Sequence, residues 1–142
     1  MMLLKGLLFL ALNSSGSNFI IPSTNGNLIG HWQREIEVVK EERLFYSNGT
    51  AQEILTIGGI LALDITTETA IDDSIAPARI YSKLKTINYL DPTLGIKIPE
   101  GEESHCIFAV MERDLHWECG RGEYPSAFTG GEAVYQRPPS RN

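Results

Sequence analysis

Two cysteines in the segment 105–119, Cys106 and Cys119, are spaced so that they could form a disulfide. The segment consists of two apolar runs around a polar centre, which predicts a β-hairpin. A two-residue turn at Glu112-Arg113 places Cys106 directly opposite Cys119 on a face that is otherwise wholly apolar: Phe108, Val110, Leu115 and Trp117. Such a pair forms a disulfide in an oxidising compartment, or else remains two buried free thiols. A three-residue turn would offset the two cysteines and exclude the disulfide.

His105 and His116 lie on the opposite face of the same predicted hairpin, together with Glu118. Imidazole and carboxylate groups are zinc ligands, so these three residues raise the question of a metal site. In the register set by a two-residue turn, however, His105 faces Gly120 and His116 faces Ala109, so the two imidazoles are not neighbours. We therefore interpret both histidines as exposed surface residues and expect no metal site.

Catalytic templates are absent from the sequence. It contains no Gly-x-Ser-x-Gly, no His-Glu-x-x-His and no phosphate-cradling glycine loop, so we expect neither catalysis nor a cofactor. Arg34 is the polar residue of most interest, because the alternation of 31–39 places it on the same face as Trp32. If buried, it requires an acidic partner such as Asp64 or a ligand carboxylate. The simpler interpretation is an Arg34 whose charged end reaches solvent at a barrel rim or is turned outward by a bulge.

Length and composition limit the class of protein. A chain of 142 residues corresponds to one domain, and 42% hydrophobic with 21% charged residues is ordinary globular usage. Twelve basic against 18 acidic residues leave a net charge of −6, which argues against nucleic-acid binding. No apolar run reaches the roughly 18 residues of a membrane-spanning helix. Two cysteines are too few for a disulfide scaffold or a four-thiolate zinc site.

Short β-rich runs separated by turn residues fill the chain from Leu28 onward. The predicted strands are 31–39, 43–47, 50–57, 60–66, 79–90, 96–99, 105–111, 115–119 and 133–137. Asn48-Gly49 predicts a tight turn with positive φ at both positions. About eight strands at short spacing predict an all-β domain, a single antiparallel, mostly up-and-down β-barrel, since closure removes unpaired edges. A four-strand-plus-helix arrangement, with a helix over 65–75, is the alternative.

Two short stretches carry a resemblance to a known family. Leu28-Ile29-Gly30-His31-Trp32 stands at the first strand and Val134-Tyr135-Gln136-Arg137 at the last. They resemble the lipocalin (calycin) pattern, in which a first-strand Trp packs at the closed end of the barrel beneath an Arg from the last strand. The resemblance implies structural roles for Gly30, Trp32 and Arg137. A guanidinium over an indole gains cation–π attraction and caps backbone carbonyls at the barrel floor.

The C-terminal third is similar to small bacterial lipocalin-like domains of unknown function. The matching residues are Ile107-Phe108, the turn 112–114, the Cys-containing strand 115–119, the loop 125–128 and the final strand 133–137. The resemblance covers 28–138, and the departures are a two-proline ending and the absence of further lipocalin motifs in the middle of the chain.

The resemblance implies a barrel that binds a small, mainly apolar molecule without catalysis. The candidate cavity residues are Arg34, Ile36, Val38, Phe108, Val110 and Trp117. A solid-packed barrel that acts as a protein-interaction or scaffold module is the alternative. A barrel isomerase or cyclase is a third, for which a buried cluster of Arg34, Asp64 and Tyr81 would be the first requirement.

The first 27 residues predict a secretory signal and a linker. Lys5 precedes the apolar run 6–12, and small residues at 14–16 offer a cleavage site. The alternatives are an N-terminal strand or helix docked on the domain, or extra residues from a misplaced start codon. The chain then divides into 1–27 as signal and linker, 28–138 as the barrel and 139–142 as a tail. A real signal implies a secreted or periplasmic protein, and otherwise the protein is cytoplasmic.

Overall fold

The computed structural model describes residues 28–139, and eight antiparallel strands in this part of the chain close into one barrel. The strands are β1 (Gly30–Ile36), β2 (Val39–Phe45), β3 (Thr50–Ile57), β4 (Ile60–Asp72), β5 (Ala78–Leu90), β6 (Glu103–Met111), β7 (Asp114–Gly120) and β8 (Ala133–Gln136). Each strand pairs with its neighbour in the chain, and β8 pairs back onto β1. The prediction of an all-β, up-and-down antiparallel barrel is confirmed.

The connections between strands define two ends of the barrel, because consecutive strands run in opposite directions. The first end carries the turns 46–49, 73–77 and 112–113, together with residues 28–29 and 137–139. The second end carries the connections 37–38, 58–59, 91–102 and 121–132.

The β2–β3 turn differs from its prediction. Phe45 pairs with Ala51, so five residues separate the paired positions and the turn is wider than a two-residue hairpin loop. Gly49 has a φ of 83°, but Asn48 is not in the left-handed region. Its side-chain oxygen instead accepts a hydrogen bond from the Thr50 amide at 3.1 Å, a local turn contact that asparagine readily makes. The prediction of positive φ at both Asn48 and Gly49 was therefore wrong.

The first predicted strand is also too long. The chain reverses at Glu37-Val38, where Glu37 has a φ of 56° and Val38 is 65% exposed. Ile36 pairs with Val39 across this turn. Residues 31–39 therefore lie in two strands and the turn between them, and not in one strand. The prediction that Val38 shares a face with Trp32 was wrong, because a two-residue turn resets which way the following side chains point.

Two further elements of the prediction are corrected. Residues 65–72 belong to β4, so the alternative of a helix over 65–75 was wrong, in keeping with the β-branched residues of that run. Residues 96–99 form no strand; they lie in the irregular connection 91–102, where Pro99 has no amide hydrogen to donate to a sheet. This connection begins with a 3₁₀ turn, Pro92–Leu94, capped by the Asp91 side chain.

The barrel core has two apolar clusters with a polar level between them. The first-end cluster contains Leu28, Trp32, Phe45, Ala51, Ala78, Ile80, Cys106, Phe108, Val110, Leu115, Trp117, Cys119, Ala133 and Tyr135. The second-end cluster contains Leu55, Ala62, Leu63 and Ile65. Along β3, Ala51 belongs to the first cluster and Leu55 to the second, and Glu53 lies between them. The inward positions between the clusters are therefore the ones to consider for function.

Candidate binding site inside the barrel

Strands β1, β2 and β3 place four charged side chains at the polar level of the barrel. Arg34 pairs in register with Glu41, and Arg43 pairs in register with Glu53, so each charge lies directly opposite its counter-charge on the neighbouring strand. Only 4% and 6% of the first pair's side chains are exposed, and 5% and 12% of the second pair's. These are two ion pairs largely withdrawn from water.

Glu41 is the centre of the hydrogen bonding. Arg34 donates to Glu41 Oε2 from Nη2 at 3.0 Å and from Nε at 3.2 Å. The Tyr135 hydroxyl of β8 donates to Glu41 Oε1 at 2.7 Å. Both oxygens of this buried carboxylate therefore accept charge-assisted or hydroxyl hydrogen bonds, which offsets the cost of removing it from water.

Aromatic rings lie against both guanidinium groups. The Arg43 Cζ is 4.6 Å from the centroid of the Trp117 ring and 5.4 Å from that of Tyr135. The Arg34 Cζ is 5.2 Å from the Tyr135 centroid, so this ring contacts both cations. Cation–π attraction is stronger in such desolvated positions than at the surface. The cluster Arg34, Glu41, Arg43, Glu53, Trp117 and Tyr135 is called the polar centre below.

Protonation in the polar centre follows from burial and from the opposed charges. Burial raises the pKa of Tyr135 to about 12, and Glu41 adds to the rise while the two arginines oppose it. Burial lowers the pKa of Arg43, but Tyr135, Glu53 and Glu41 outweigh it, and the net pKa is raised. The phenol is therefore neutral at pH 7 and Arg43 is charged. Each guanidinium group of the polar centre thus faces one carboxyl group on the neighbouring strand.

Two hydrogen-bond donors of the polar centre are open. Within residues 28–139, Arg43 Nε and Trp117 Nε1 are buried and have no hydrogen-bond partner. A cavity of about 10 Å³ lies against Arg43, and Glu41, Glu42, Glu53 and Ile54 are its other lining residues. That volume admits one water-sized atom. An open buried donor costs about 1–3 kcal/mol, so each one favours an acceptor.

The predicted cavity residues have different locations in the structure. Phe108, Val110 and Trp117 are buried in the first-end cluster, Ile36 is half-buried at the end of β1, and Val38 is exposed in the turn. Of the six, Arg34 and Trp117 belong to the polar centre.

Asp64 is not the partner of Arg34. Its carboxylate accepts from Gln52 Nε2 at 2.8 Å, whereas Arg34 is paired with Glu41. Tyr81 is also elsewhere, since its hydroxyl donates to Glu103 at 2.7 Å in an exposed contact. The cluster of Arg34, Asp64 and Tyr81 that a barrel enzyme would require is therefore not brought together. The interpretation of Arg34 as a rim residue or an outward one was likewise wrong.

Sequence reasoning missed Glu41, Arg43 and Glu53. The run 40–43 is charged at every position, so it lacks the alternation that marks a half-buried strand. The one available signal was the turn at Glu37-Val38. A two-residue turn there sets Arg34 opposite Glu41.

The floor of the barrel is built from β1 and the end of β8. The Arg137 Cζ lies 3.8 Å from the centroid of the Trp32 ring, and its Nη1 donates to the Ile29 carbonyl at 3.1 Å. The Trp32 indole nitrogen donates to the Leu28 carbonyl at 2.8 Å. Gly30 has a φ of 123°, and a side chain there would overlap the guanidinium. The structure thus contains the Trp-beneath-Arg arrangement that the resemblance implies.

The β6–β7 hairpin has the predicted register. A two-residue turn at Glu112-Arg113 sets Met111 opposite Asp114 and Cys106 opposite Cys119. Cys106 and Cys119 are joined in a disulfide. Both residues are buried in the first-end cluster.

The histidines of this hairpin are not exposed, and that prediction was wrong. His116 is 9% exposed and its Nδ1 lies 3.4 Å from Oε2 of Glu132, which is 1% exposed. His105 is half-buried, and its ring lies 5.3 Å from that of Tyr81 and 5.0 Å from that of Tyr124. The reason is that the 121–132 connection packs against the outer face of the hairpin, which the sequence pattern does not show.

Two hydrogen bonds fix the 121–132 connection to β7. The Thr129 amide and hydroxyl donate to the Glu118 carboxylate at 3.0 and 2.7 Å. Glu118 is therefore a tether for this segment. Across residues 28–139 no group of three histidine, cysteine, aspartate or glutamate residues is placed to hold a metal ion.

The predictions for residues 1–27 and for 140–142 lie outside the described residues. Among residues 28–139 there is no helix of the length and apolarity needed to cross a membrane.

No protein-family model matches the chain, and neither a search of curated proteins nor one of solved structures found a match. The protein is a closed, eight-stranded, antiparallel up-and-down β-barrel with a buried ion-paired centre. This architecture is compatible with a lipocalin-like fold.

Proposed function

We propose that the protein is a non-catalytic, lipocalin-like barrel that binds a small, mainly apolar molecule in its interior. The observation that carries the proposal is the pair of open donors, Arg43 Nε and Trp117 Nε1, in the polar centre between the two apolar clusters. Ligand sites of this kind are apolar surfaces with a few polar groups that fix orientation. The two apolar clusters supply the surface and the polar centre supplies the orienting groups.

We also propose that the protein works outside the cytoplasm, in a secreted or periplasmic location. The Cys106–Cys119 disulfide supports this, because structural disulfides persist in oxidising compartments. The apolar run near the N-terminus supports it independently.

Native mass spectrometry of the full chain, purified from its own host, tests the binding function. We expect a reproducible extra mass that is lost on denaturation, and its value gives the ligand class. The denatured mass also shows whether the segment before Leu28 has been shortened and whether two hydrogens are missing, as the disulfide requires.

A matched pair of variants makes the mass measurement specific to the interior. Trp117→Phe removes an open interior donor, whereas Tyr46→Phe removes a hydroxyl that is exposed. The proposal predicts loss of the extra mass in the first variant and retention in the second. Retention in both variants contradicts an interior site.

A second candidate function is a packed barrel that acts as an interaction module. Trp117, Tyr135 and Phe108 meet in the interior, and exposed aliphatic side chains mark the second end: Val38 at 65%, Ile60 at 64% and Leu61 at 38% exposure. The Gly58 amide donates to the Val38 carbonyl at 2.8 Å, so these residues lie on adjoining turns. Wild-type and Val38→Ser/Ile60→Ser protein separate the two candidates when association is measured by light scattering and the extra mass by native mass spectrometry. If the protein is an interaction module, the variant loses association. If it is a binding barrel, the variant keeps its extra mass.

A further inference from the structure

The wall of the barrel lacks a strand beside the outer half of β5. The pairing of β5 with β6 ends at Lys83, and residues 85–90 pair with β4 alone. The irregular connection 91–102 spans this stretch. It begins directly after β5 and returns to it, where the Leu84 amide donates to the Glu102 carbonyl at 2.8 Å. The connection therefore covers the side of the barrel at its second end.

Hydrogen bonds hold this connection at its ends and not in its middle. The Gly95 and Glu102 amides each close a turn, with hydrogen bonds of 3.3 and 3.2 Å. Across the part of the chain that the structure describes, residues 96–98 make no backbone–backbone hydrogen bond. Gly95 and Gly101 lie on either side of this stretch with φ of 67° and 72°. Because glycine moves readily between backbone conformations, both positions can act as hinges.

Ile98 attaches the middle of the connection to the barrel by an apolar contact. Its half-buried side chain packs against the second-end cluster, as do Leu84 and Leu90 of β5. The four buried members of that cluster are aliphatic and carry no ring. Apolar contact is non-directional, so another aliphatic group can replace Ile98 on this surface without leaving a polar atom unpaired.

This arrangement deepens the proposed binding function and rests on it. We propose that the connection 91–102 is a lid: Ile98 covers the second-end cluster in the free protein, and an uncharged aliphatic chain of the ligand displaces it. The class of ligand follows from the side chains that surround the place. They are aliphatic, and a charged group buried among them would have no counter-charge.

The first-end cluster does not offer the same exchange. Its largest buried side chains, Trp32, Phe108 and Trp117, belong to strands β1, β6 and β7. Such a side chain cannot withdraw without breaking the hydrogen bonds of its strand. Ile98, in contrast, belongs to an irregular segment between two glycines, so its withdrawal leaves the barrel intact.

1-Octanol tests the inference, because it carries an uncharged aliphatic chain. Spectra of the full chain with labelled isoleucine, leucine and valine methyl groups give its affinity, and nuclear Overhauser effects give its location. We expect contacts between the octanol chain and the methyl groups of Leu55 and Leu63. The Ile98 methyl resonance should move towards the position of a solvent-exposed isoleucine as octanol is added.

A matched pair of variants in the same segment tests the lid. We expect Ile98→Ala to bind 1-octanol about tenfold more tightly, because the lid loses roughly half the burial of three carbon atoms and opens more readily. Ile96→Ala is the control, since Ile96 is also half-buried but is not packed against the second-end cluster in the described part of the chain. Its affinity should be nearly that of the wild type. If Ile98→Ala does not fold, the wild-type contacts decide.

The outcomes separate the inference from the function on which it rests. Octanol contacts confined to Val110 and Leu115 of the first-end cluster overturn the lid and leave the binding function standing. Equal affinities of Ile98→Ala and Ile96→Ala also overturn it. If neither the wild type nor Ile98→Ala binds octanol, the inference falls, and the extra mass of the native protein decides separately whether the binding function falls with it.

Discussion

The Arg137 guanidinium lies over the Trp32 indole, with Cζ 3.8 Å from the ring centroid, and donates to the Ile29 carbonyl at 3.1 Å. This contact ties the end of β8 to the start of β1 at the first end of the barrel. Its close fit depends on Gly30, which leaves room for the guanidinium and adopts a φ of 123°.

Gly30→Ala is therefore expected to destabilise the barrel by about 3 kcal/mol, through backbone strain and overlap with Arg137. Gly59→Ala is the matched control, because Gly59 also has a positive φ, 81°, but nothing lies within 4 Å of a side chain placed there. We expect that variant to lose about 1 kcal/mol. Urea unfolding followed by tryptophan fluorescence measures both, and equal losses would show that the guanidinium moves aside.

Tyr135→Phe removes the hydroxyl that donates to the buried Glu41 carboxylate at 2.7 Å. The expected loss is about 1–3 kcal/mol, because one oxygen of a buried anion loses its donor. Tyr46→Phe removes a hydroxyl that donates to Gln52 at 2.8 Å in an exposed contact, and its loss should stay below about 0.5 kcal/mol. Thermal unfolding of the two variants against wild type gives the comparison. A Tyr135→Phe protein as stable as Tyr46→Phe contradicts the role given to Glu41.

Alkaline pH should destabilise the barrel through the same residue, Tyr135. The pKa of Tyr135 is raised to about 12 by burial, against 10.0 for a free tyrosine. A raised pKa means that the folded state favours the neutral phenol. The stabilisation is complete below about pH 10 and is lost as the pH rises towards 12, with a size of roughly 2–3 kcal/mol.

Chemical denaturation at intervals from pH 9 to pH 12 measures this alkaline loss, and Tyr135→Phe should flatten the curve. Tyr81→Phe is the control: its pKa is also raised to about 12, chiefly by its hydrogen bond to Glu103, but this contact is exposed and solvent screening reduces its effect on stability, so we expect the steep loss to remain in this variant. A steep loss that persists in the Tyr135→Phe protein would assign the effect to another group.

The buried pair of His116 and Glu132 should matter more for stability than the closer but exposed pair of His31 and Glu42. The first pair is 3.4 Å apart with side-chain exposures of 11% and 1%, and the second is 2.7 Å apart with exposures of 37% and 17%. His116→Ala leaves a buried carboxylate without its partner, which costs about 3–5 kcal/mol. His31→Ala should cost less than about 1 kcal/mol.

Guanidinium unfolding at pH 6 compares these histidine variants, and adding Glu132→Gln to His116→Ala should recover part of the loss. No recovery in the double variant would show that packing against Phe128, rather than charge, explains the effect.

Reduction of the Cys106–Cys119 disulfide should lower the free energy of unfolding by about 3 kcal/mol, since the bridge closes a loop with a sequence separation of 13. Denaturant titrations with and without a phosphine reductant give the value. The Cys106→Ala/Cys119→Ala protein should unfold at the same denaturant concentration in both buffers. An unchanged midpoint for the wild-type protein under full reduction, checked by mass, is the contrary outcome.

The sequence predicts the barrel well because its strongest signals are local. Apolar alternation and turn residues locate β3, β5, β6 and β7, and the two-residue turn at Glu112-Arg113 sets the cysteine register. The polar centre could not be predicted in the same way. Arg43 and Glu53 look like solvated charges in the sequence, and their burial depends on closure of the barrel around them.

The outer face shows the same limit. Nothing in the local pattern of His116 reveals that Glu132, from a connection 16 residues further along the chain, covers it. Burial of that kind depends on where an irregular segment packs, which periodicity does not report.

The order of strands around the barrel has a consequence for how the chain reaches its native state. Seven of the eight strand pairings join chain neighbours and form from hairpins, whereas β1 and β8 meet only when the two ends of the domain come together. Loop-closure entropy opposes that encounter most strongly, so the β1–β8 seam forms last. Arg137 over Trp32 and Tyr135 on Glu41 both span this late step, one at the floor and one at the centre. The same contacts that define the finished interior therefore complete only when the domain's two termini have met.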